Sequence, residues 1–167
     1  MWLVVVIAGL SAKRYTGLLH PLLTGTGSLL LLPALFGNSA ILTFPLPLFL
    51  GDAAIAFTVD PLSRWFLLLI GLIGVATALF APGYLAHLRK RISLGFLWAA
   101  LALLLISMTG VVLAANVLTF MVAWELMALS SFALVAADHE QQAIRQAALI
   151  YLGATRVGTA FLMAGFL

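Results

Sequence analysis

The stretch that decides the fold is VLTFMVAWELMALSSFALV, residues 117–135, in which Glu125 is the only charged residue. As a helix, this stretch is about long enough to cross the ~30 Å hydrocarbon core of a bilayer. A carboxylate in the middle of a membrane helix costs roughly 2.5–3.5 kcal/mol on insertion scales. An ionisable residue at such a position is by default a sign of function. Glu125 therefore predicts that this helix moves a charge, most often a proton.

The rest of the chain has the same apolar character. Its 167 residues are 65% hydrophobic and 8% charged, whereas a soluble domain carries about 25% charged residues. Apolar runs close to the length of a membrane span recur, so the sequence predicts an all-α, multi-pass transmembrane helix bundle. The chain has no cysteine, which excludes disulfides, iron–sulfur clusters and thiolate metal sites within it.

The apolar runs predict six helices. Asp60 and Pro61 suit the N-cap and first position of the third helix, and Pro82-Gly83 is predicted to end it. Asn116 is predicted to cap the fifth helix. The predicted ranges are about 1–10, 18–36, 61–80, 92–114, 117–137 and 143 onward.

Residues 38–60 interrupt this pattern between the second and third helices. Pro45 and Pro47 alternate with apolar residues, which favours an extended segment, and Gly51-Asp52 indicates a turn. The sequence predicts a small hairpin or extended loop outside the membrane, because an unpaired strand cannot lie in lipid.

The basic residues predict the orientation. Lys13, Arg14, the cluster 89–91 and Arg145 all fall on one side of a six-helix bundle, whereas the net charge of +3 gives no sign of nucleic-acid binding. The positive-inside rule places that side in the cytoplasm and the N-terminus outside, so that 38–60 is extracytoplasmic. The last helix has no cap or polar tail, and we expect residues 1–167 to be the single-domain N-terminal part of a longer subunit.

Arg156, in the sixth helix, is the predicted partner of Glu125. If the fifth and sixth helices are antiparallel neighbours, Glu125 lies ~18 Å from the cytoplasmic end of its helix and Arg156 lies ~20 Å from the cytoplasmic end of its own. The two residues would then lie at similar depth. Protonation of Glu125 would then depend on the balance between burial and this cation. Two alternatives remain open: a permanently protonated Glu125 bonded to Ser130 or Ser131, and an Arg156 that packs against a polar group elsewhere.

Other polar groups give weaker signals. His139 and its neighbours Asp138 and Glu140 are candidates for proton entry from the cytoplasm, although such a loop is more often simply solvated. The three histidines lack ligand spacing, so we predict no metal site and no cofactor. We interpret Trp124 as a packing residue, and Trp2, Trp65 and Trp98 as membrane-interface anchors.

Four strings occur in an order that resembles a known family. They are FTVDPLS at 57–63, GYL at 83–85, NVLTFMVAWELMALSS at 116–131 and YLGATRVGT at 151–159. Together, over about residues 55–167, they resemble the antiporter-like membrane subunits of NADH–quinone oxidoreductase, Mrp sodium/proton antiporters and energy-converting nickel–iron hydrogenases. The WELMALSS form resembles most the large membrane subunit of formate hydrogenlyase and hydrogenase-4-type complexes.

The resemblance implies a non-catalytic, proton-translocating subunit of about fourteen helices in a bacterial or archaeal cytoplasmic membrane. Glu125 would face a lysine beyond Leu167, and Arg156 would be the arginine of the sixth helix. The implied partners are sister membrane subunits and a hydrophilic hydrogenase or dehydrogenase arm, which would supply redox energy. The alternatives are an Mrp-type sodium/proton antiporter subunit, a purely structural subunit and, with the least support, a quinone-binding redox subunit.

Overall fold

The computed structural model describes residues 2–11, 19–29, 41–45, 54–86, 93–138 and 140–166. Over these ranges the chain forms six α-helices, a short 3₁₀ helix and a two-stranded sheet. The elements are α1 (Trp2–Ser11), α2 (Leu19–Leu29), β1 (Ile41–Pro45), β2 (Ala54–Thr58), α3 (Pro61–Ala86), α4 (Leu94–Leu113), α5 (Val117–Val135), the 3₁₀ helix (Ala136–Asp138) and α6 (Gln142–Phe166).

Four of these helices, α3 to α6, are long and apolar enough to cross a membrane. The chain is therefore an integral membrane protein with a helical bundle, as predicted. Over their described residues, α1 and α2 have 10 and 11 residues, or about 15–17 Å of helix. Six helices are present, but the structure does not confirm six membrane spans.

The start of α3 follows the prediction, and its end does not. The Asp60 carboxylate accepts a hydrogen bond from the Ser63 backbone N–H, and that bond holds the pKa of Asp60 below its usual range, with a smaller contribution from Arg64. The helix then passes through Pro82 and ends at Ala86, so the predicted stop at Pro82-Gly83 is wrong. Pro82 lies in the last turns of α3, where the one backbone hydrogen bond it removes is tolerated in a membrane helix.

α4 lies at the centre of the bundle and packs against α1, α3 and α5. Its buried side chains include Trp98, Ala102 and Leu105, which join Trp2 and Ile70 in one apolar core. Trp98 is 2% exposed, so its interpretation as an interface anchor is wrong. The apolar face of α4 is sheltered by its neighbouring helices, and the large Trp98 side chain fills the space between them.

The indole of Trp2 also lies inside the bundle. Trp2 is buried and donates from Nε1 to the Thr24 carbonyl of α2 at 3.2 Å. This bond satisfies the polar end of the ring without water, so the prediction of an interface anchor fails here as well. Trp65 is 69% exposed on α3, a position that an interface anchor can occupy.

The hairpin predicted within residues 38–60 is present. β1 and β2 are antiparallel, with Ile41 opposite Thr58 and Pro45 opposite Ala54, while the predicted turn at Gly51-Asp52 lies outside the described residues. β2 is hydrogen-bonded to the start of α5, since the Ala56 N–H donates to Thr119 Oγ1 at 2.9 Å and Asn116 Nδ2 donates to the Ala54 carbonyl at 2.8 Å. The hairpin therefore lies at the end of α5 opposite the turn that leads into α6.

Candidate functional site

The site is built on the seam between α5 and α6, which are antiparallel neighbours. The 3₁₀ helix and the turn at Glu140 and Gln141 reverse the chain within a few residues, and the Gln141 N–H donates to the Asp138 carbonyl at 3.2 Å. Contacts then follow the seam from this turn to the far end. Ser131 meets Tyr151, Trp124 meets Thr159, and the rings of Phe120 and Phe166 lie 5.7 Å apart.

Glu125 and Arg156 form an ion pair across this seam. The Nη1 atom of Arg156 donates to the Oε2 atom of Glu125. The structure thus brings together the two residues that the sequence placed at similar depth. Glu125 lies eight residues from the start of α5 and ten from its end, or about 12–15 Å from either end. Their role in proton translocation stays a prediction.

The pair is only partly covered by the part of the chain that the structure describes. The side chains of Glu125 and Arg156 are 31% and 43% exposed, so the description of Glu125 as buried does not hold for this chain by itself. The reason is geometric, because α6 packs mainly on α5 and leaves its other sides open. An ion pair at mid-membrane depth cannot face lipid tails at low cost, so a further helix or a water-filled space must cover it.

The hydroxyl groups proposed as alternative partners of Glu125 are engaged elsewhere. Ser130 and Ser131 are on α5 itself, and both donate to the Met127 carbonyl, at 3.0 Å and 2.8 Å. Such bonds to the preceding turn are usual for serine in membrane helices. In this structure the Glu125 carboxylate therefore accepts a hydrogen bond from Arg156 and not from either of these serine hydroxyls.

Trp124 packs as predicted. Its ring stacks on Phe120, with centroids 5.8 Å apart, and its Nε1 donates to Thr159 Oγ1 at 3.2 Å. Thr159 in turn donates to the Thr155 carbonyl of its own helix. Trp124 therefore joins α5 to α6 directly beside the ion pair.

A cavity of about 370 Å³ runs along the same seam. Three hydroxyl side chains, Ser131, Tyr151 and Thr155, line it together with apolar groups from α4, α5 and α6. The hydroxyls of Ser131 and Tyr151 are 2.6 Å apart. The full lining is Leu104, Trp124, Met127, Ala128, Ser131, Tyr151, Thr155 and Gly158.

Sequence reasoning missed this hydroxyl pair. A signal for it exists in α6, where Tyr151, Thr155 and Thr159 recur every four residues and therefore share one face of the helix. The Arg156 side chain lies on the adjacent face. A polar stripe on a membrane-length helix predicts contact with another polar stripe, and α5 supplies Ser131 and Trp124 in the matching order.

The candidate entry residues in the turn are not part of the ion-pair site. Asp138 accepts a hydrogen bond from Gln141 Nε2 at 2.5 Å, and Glu140 is exposed in the turn; His139 lies outside the described residues. Asp138 is 13 positions from Glu125, which is ~20 Å along a helix. In the described ranges no three His, Asp or Glu residues come together as metal ligands.

Comparison with known proteins matches nearly the whole chain. It is 32% identical over 169 residues to a protein of Staphylococcus saprophyticus named "Putative antiporter subunit mnhA2", covering 99% of this chain and 21% of the relative. The protein of the same name from Staphylococcus haemolyticus is 32% identical over 162 residues, covering 92% of this chain and 20% of the relative. The chain is similar to antiporter subunits. No protein-family model matches it.

These relatives support the coarser part of the predicted resemblance, an antiporter-like membrane subunit. The narrower resemblance to formate hydrogenlyase and hydrogenase-4 subunits finds no support, because the relatives carry an antiporter name. A hydrophilic hydrogenase arm as partner likewise finds no support. The chain spans about one-fifth of the length of these relatives.

Proposed function

We propose that this chain is part of a membrane subunit of an Mrp-type cation/proton antiporter, with Glu125 as its protonatable group. The observation that carries the proposal is the ion pair between Glu125 and Arg156 at mid-depth of two membrane-length helices. The similarity to antiporter subunits supports the same class. Antiport needs a site that holds either a proton or a cation, and a carboxylate beside a fixed positive charge supplies one.

The geometry supports a simple exchange of charge. With Glu125 ionised, its carboxylate is neutralised by Arg156 or by an entering cation, and with Glu125 protonated, the guanidinium of Arg156 is left to repel that cation. Coulomb interactions at mid-membrane depth are stronger than in water. One proton therefore changes the affinity of the site for a cation, and the cation changes its affinity for the proton.

The wider arrangement is part of the same proposal. Sister membrane subunits would cover the exposed side of the ion pair, and the basic residues at 13–14, 89–91 and 145 would face the cytoplasm, with the N-terminus outside. Asp138, His139 and Glu140 would lie at the cytoplasmic end of the seam. Coupling to a redox arm is the second candidate, motivated by the strings in this sequence that resemble those of subunits of redox complexes.

The test uses the full-length subunit assembled with its partners in proteoliposomes. Proton movement driven by a sodium gradient is measured for the natural protein and for Glu125→Gln. We expect a loss of about 100-fold or more, since a positioned proton carrier contributes about 10²–10⁴-fold to a transfer rate. Asp60→Asn is the matched control, because it also neutralises a carboxylate but keeps a residue able to cap α3.

Two outcomes would contradict the proposal. Natural rates in Glu125→Gln would assign that carboxyl group a structural role only. Proton movement that needs a redox substrate and ignores the sodium gradient would favour the redox-coupled alternative.

A further inference from the structure

We propose that a groove between α2 and α3 binds an anionic phospholipid of the leaflet on the basic side of the bundle, with one acyl chain lying in the groove. In the proposed orientation this is the cytoplasmic leaflet. The inference goes beyond the proposed function and does not depend on it, because α2 and α3 carry neither Glu125 nor Arg156.

The groove has the depth of a single leaflet. Its volume is about 370 Å³, and its lining runs from Pro21 to Leu29 on α2 and from Pro82 back to Val75 on α3. Each interval is roughly 10–12 Å of helix, whereas half of the hydrocarbon core is ~15 Å thick. Pro82 lies ~6 Å from the end of α3 at Ala86. The groove therefore extends from near one membrane surface to about mid-membrane, as an acyl chain of one leaflet does.

Small residues form the floor of the groove. A Cβ atom at Gly25 would lie 3.4 Å from the Cβ atom of Ala78, so the two helices are close there, and neither side chain is long enough to fill the space beside the contact. Thr26 is the polar side chain of the lining. Its hydroxyl donates to the Leu22 carbonyl of its own helix at 2.8 Å. The lining side chains therefore present an apolar surface, which suits a hydrocarbon chain.

The outer face of α3 has the features of a surface in contact with lipid. Trp65 and Tyr84 are both exposed and lie 19 positions apart on this helix, which is ~29 Å. Trp and Tyr are enriched at the two membrane–water interfaces, and this separation matches the ~30 Å hydrocarbon core. The large exposed side chains between them are apolar, and one of these, Leu79, also lines the groove. The groove thus opens at the edge of a lipid-facing surface, which favours a lipid tail over a partner helix.

The basic residues favour an anionic head group. Lys13 and Arg14 belong to the connection between α1 and α2, and the basic cluster 89–91 belongs to the connection between α3 and α4. Both connections are at the end of the bundle where the groove begins, since α2 starts there and α3 ends there. The sequence has no acidic residue within 25 positions of either group. Basic sites between membrane helices on the cytoplasmic side bind anionic lipid head groups.

Two threonine variants test the groove. Thr26 lines it and Thr77 does not, and each hydroxyl donates at 2.8 Å to the carbonyl four residues earlier in its own helix. Thr26→Phe should fill the groove, whereas Thr77→Phe places the same ring outside it. Native mass spectrometry of the assembled, full-length complex measures the binding of added phosphatidylglycerol. We expect Thr26→Phe to weaken this binding about tenfold, since each methylene kept out of an apolar site costs roughly fourfold in affinity. Thr77→Phe should bind as the natural protein does.

The head group is tested by repeating the titration with phosphatidylcholine, which has the same acyl chains and no net charge. We expect it to bind about fivefold more weakly or worse, because each basic residue near the membrane surface contributes roughly fivefold to the binding of an anionic lipid. Equal affinities for the two lipids would overturn the assignment of an anionic phospholipid.

A second measurement locates the lipid without any substitution. Phosphatidylglycerol with a photoactivatable diazirine in its acyl chain is added to vesicles that contain the assembled complex. The cross-linked peptides are then identified by mass spectrometry. We expect cross-links on the exposed leucines of the lining, Leu22, Leu29 and Leu79. If Thr26→Phe does not assemble, this cross-linking decides.

Two results would overturn the lipid site, and both differ from failure of the proposed function. They are natural affinity for phosphatidylglycerol in Thr26→Phe, and cross-links that avoid the groove. Either one would favour a helix of a partner subunit as the occupant. Glu125→Gln should bind phosphatidylglycerol as the natural protein does, so a loss of transport in that variant leaves the lipid site intact.

Discussion

α4 and α6 are both membrane-length helices, yet they are stabilised in different ways. α4 carries no charged residue and buries Trp98, Ala102 and Leu105 among neighbours on several sides. α6 buries only Ala148 and Thr159 among its described side chains, and it meets α5 through side-chain hydrogen bonds, one ion pair and the contact between the rings of Phe120 and Phe166. We infer from this difference that apolar packing stabilises the centre of the bundle, while polar contacts contribute to the position of α6 along α5.

The largest expected effect tests packing at the centre. Trp98→Ala should destabilise the protein by about 3–5 kcal/mol, because it leaves a cavity where a large buried side chain was. Trp65→Ala is the matched control, since the same truncation on an exposed side chain leaves no cavity. Unfolding in mixed detergent micelles, followed by circular dichroism, measures both. Equal losses for the two variants would contradict the assignment of α4 as the packed centre.

The second effect tests how closely helices approach within the packed half. A Cβ atom at Gly74 of α3 would lie 2.9 Å from the Cβ atom of Ser28 on α2, so Gly74→Ala must push the helices apart. We expect a loss of about 1–3 kcal/mol from this overpacking. Gly83→Ala, on the same helix with no atom within 4 Å, should be neutral or slightly stabilising. The same unfolding assay separates them, and a neutral Gly74→Ala would show that α2 is free to move.

The fold and the seam differ in how far sequence could predict them. Composition and run length predicted the helices, the caps at Asp60 and Asn116 and the hairpin, because these depend on local backbone chemistry and on the apolar surroundings. The continuation of α3 through Pro82 was missed, since the cost of one lost hydrogen bond depends on its place in the helix. The burial of Trp98 was missed because its position near a helix end says nothing about neighbouring helices.

The candidate site was predictable where a single charge stands out against an apolar background. Glu125 and Arg156 could be placed at one depth by counting residues, and the structure pairs them. Ser131 and Tyr151 could not be paired in the same way. Hydroxyl groups are common in membrane helices and usually bond their own backbone, so only the packing of α5 on α6 shows that these two meet.

The third effect tests the ion pair as a link across the seam. A double-mutant cycle of Glu125→Gln and Arg156→Gln should give a coupling energy of about 1–2 kcal/mol, between the values for exposed and buried pairs, because both side chains are partly exposed. Unfolding of the four proteins in micelles measures it. A coupling near zero would mean that solvent or detergent screens the pair, and that α6 is registered by its hydroxyl contacts instead.

The smallest effect tests a neutral hydrogen bond in the same seam. Thr159→Val removes the acceptor of the Trp124 indole while keeping the shape of the buried side chain. Hydrogen bonds between membrane helices are worth about 0.6 kcal/mol on average, so the loss should be near that value, and Trp124→Phe should remove the same coupling. A cycle of these two substitutions isolates the bond from the packing of the ring on Phe120. A coupling larger than that of the ion pair would reverse the ranking proposed for the seam. A neutral hydrogen bond would then contribute more than the ion pair to the register of α6.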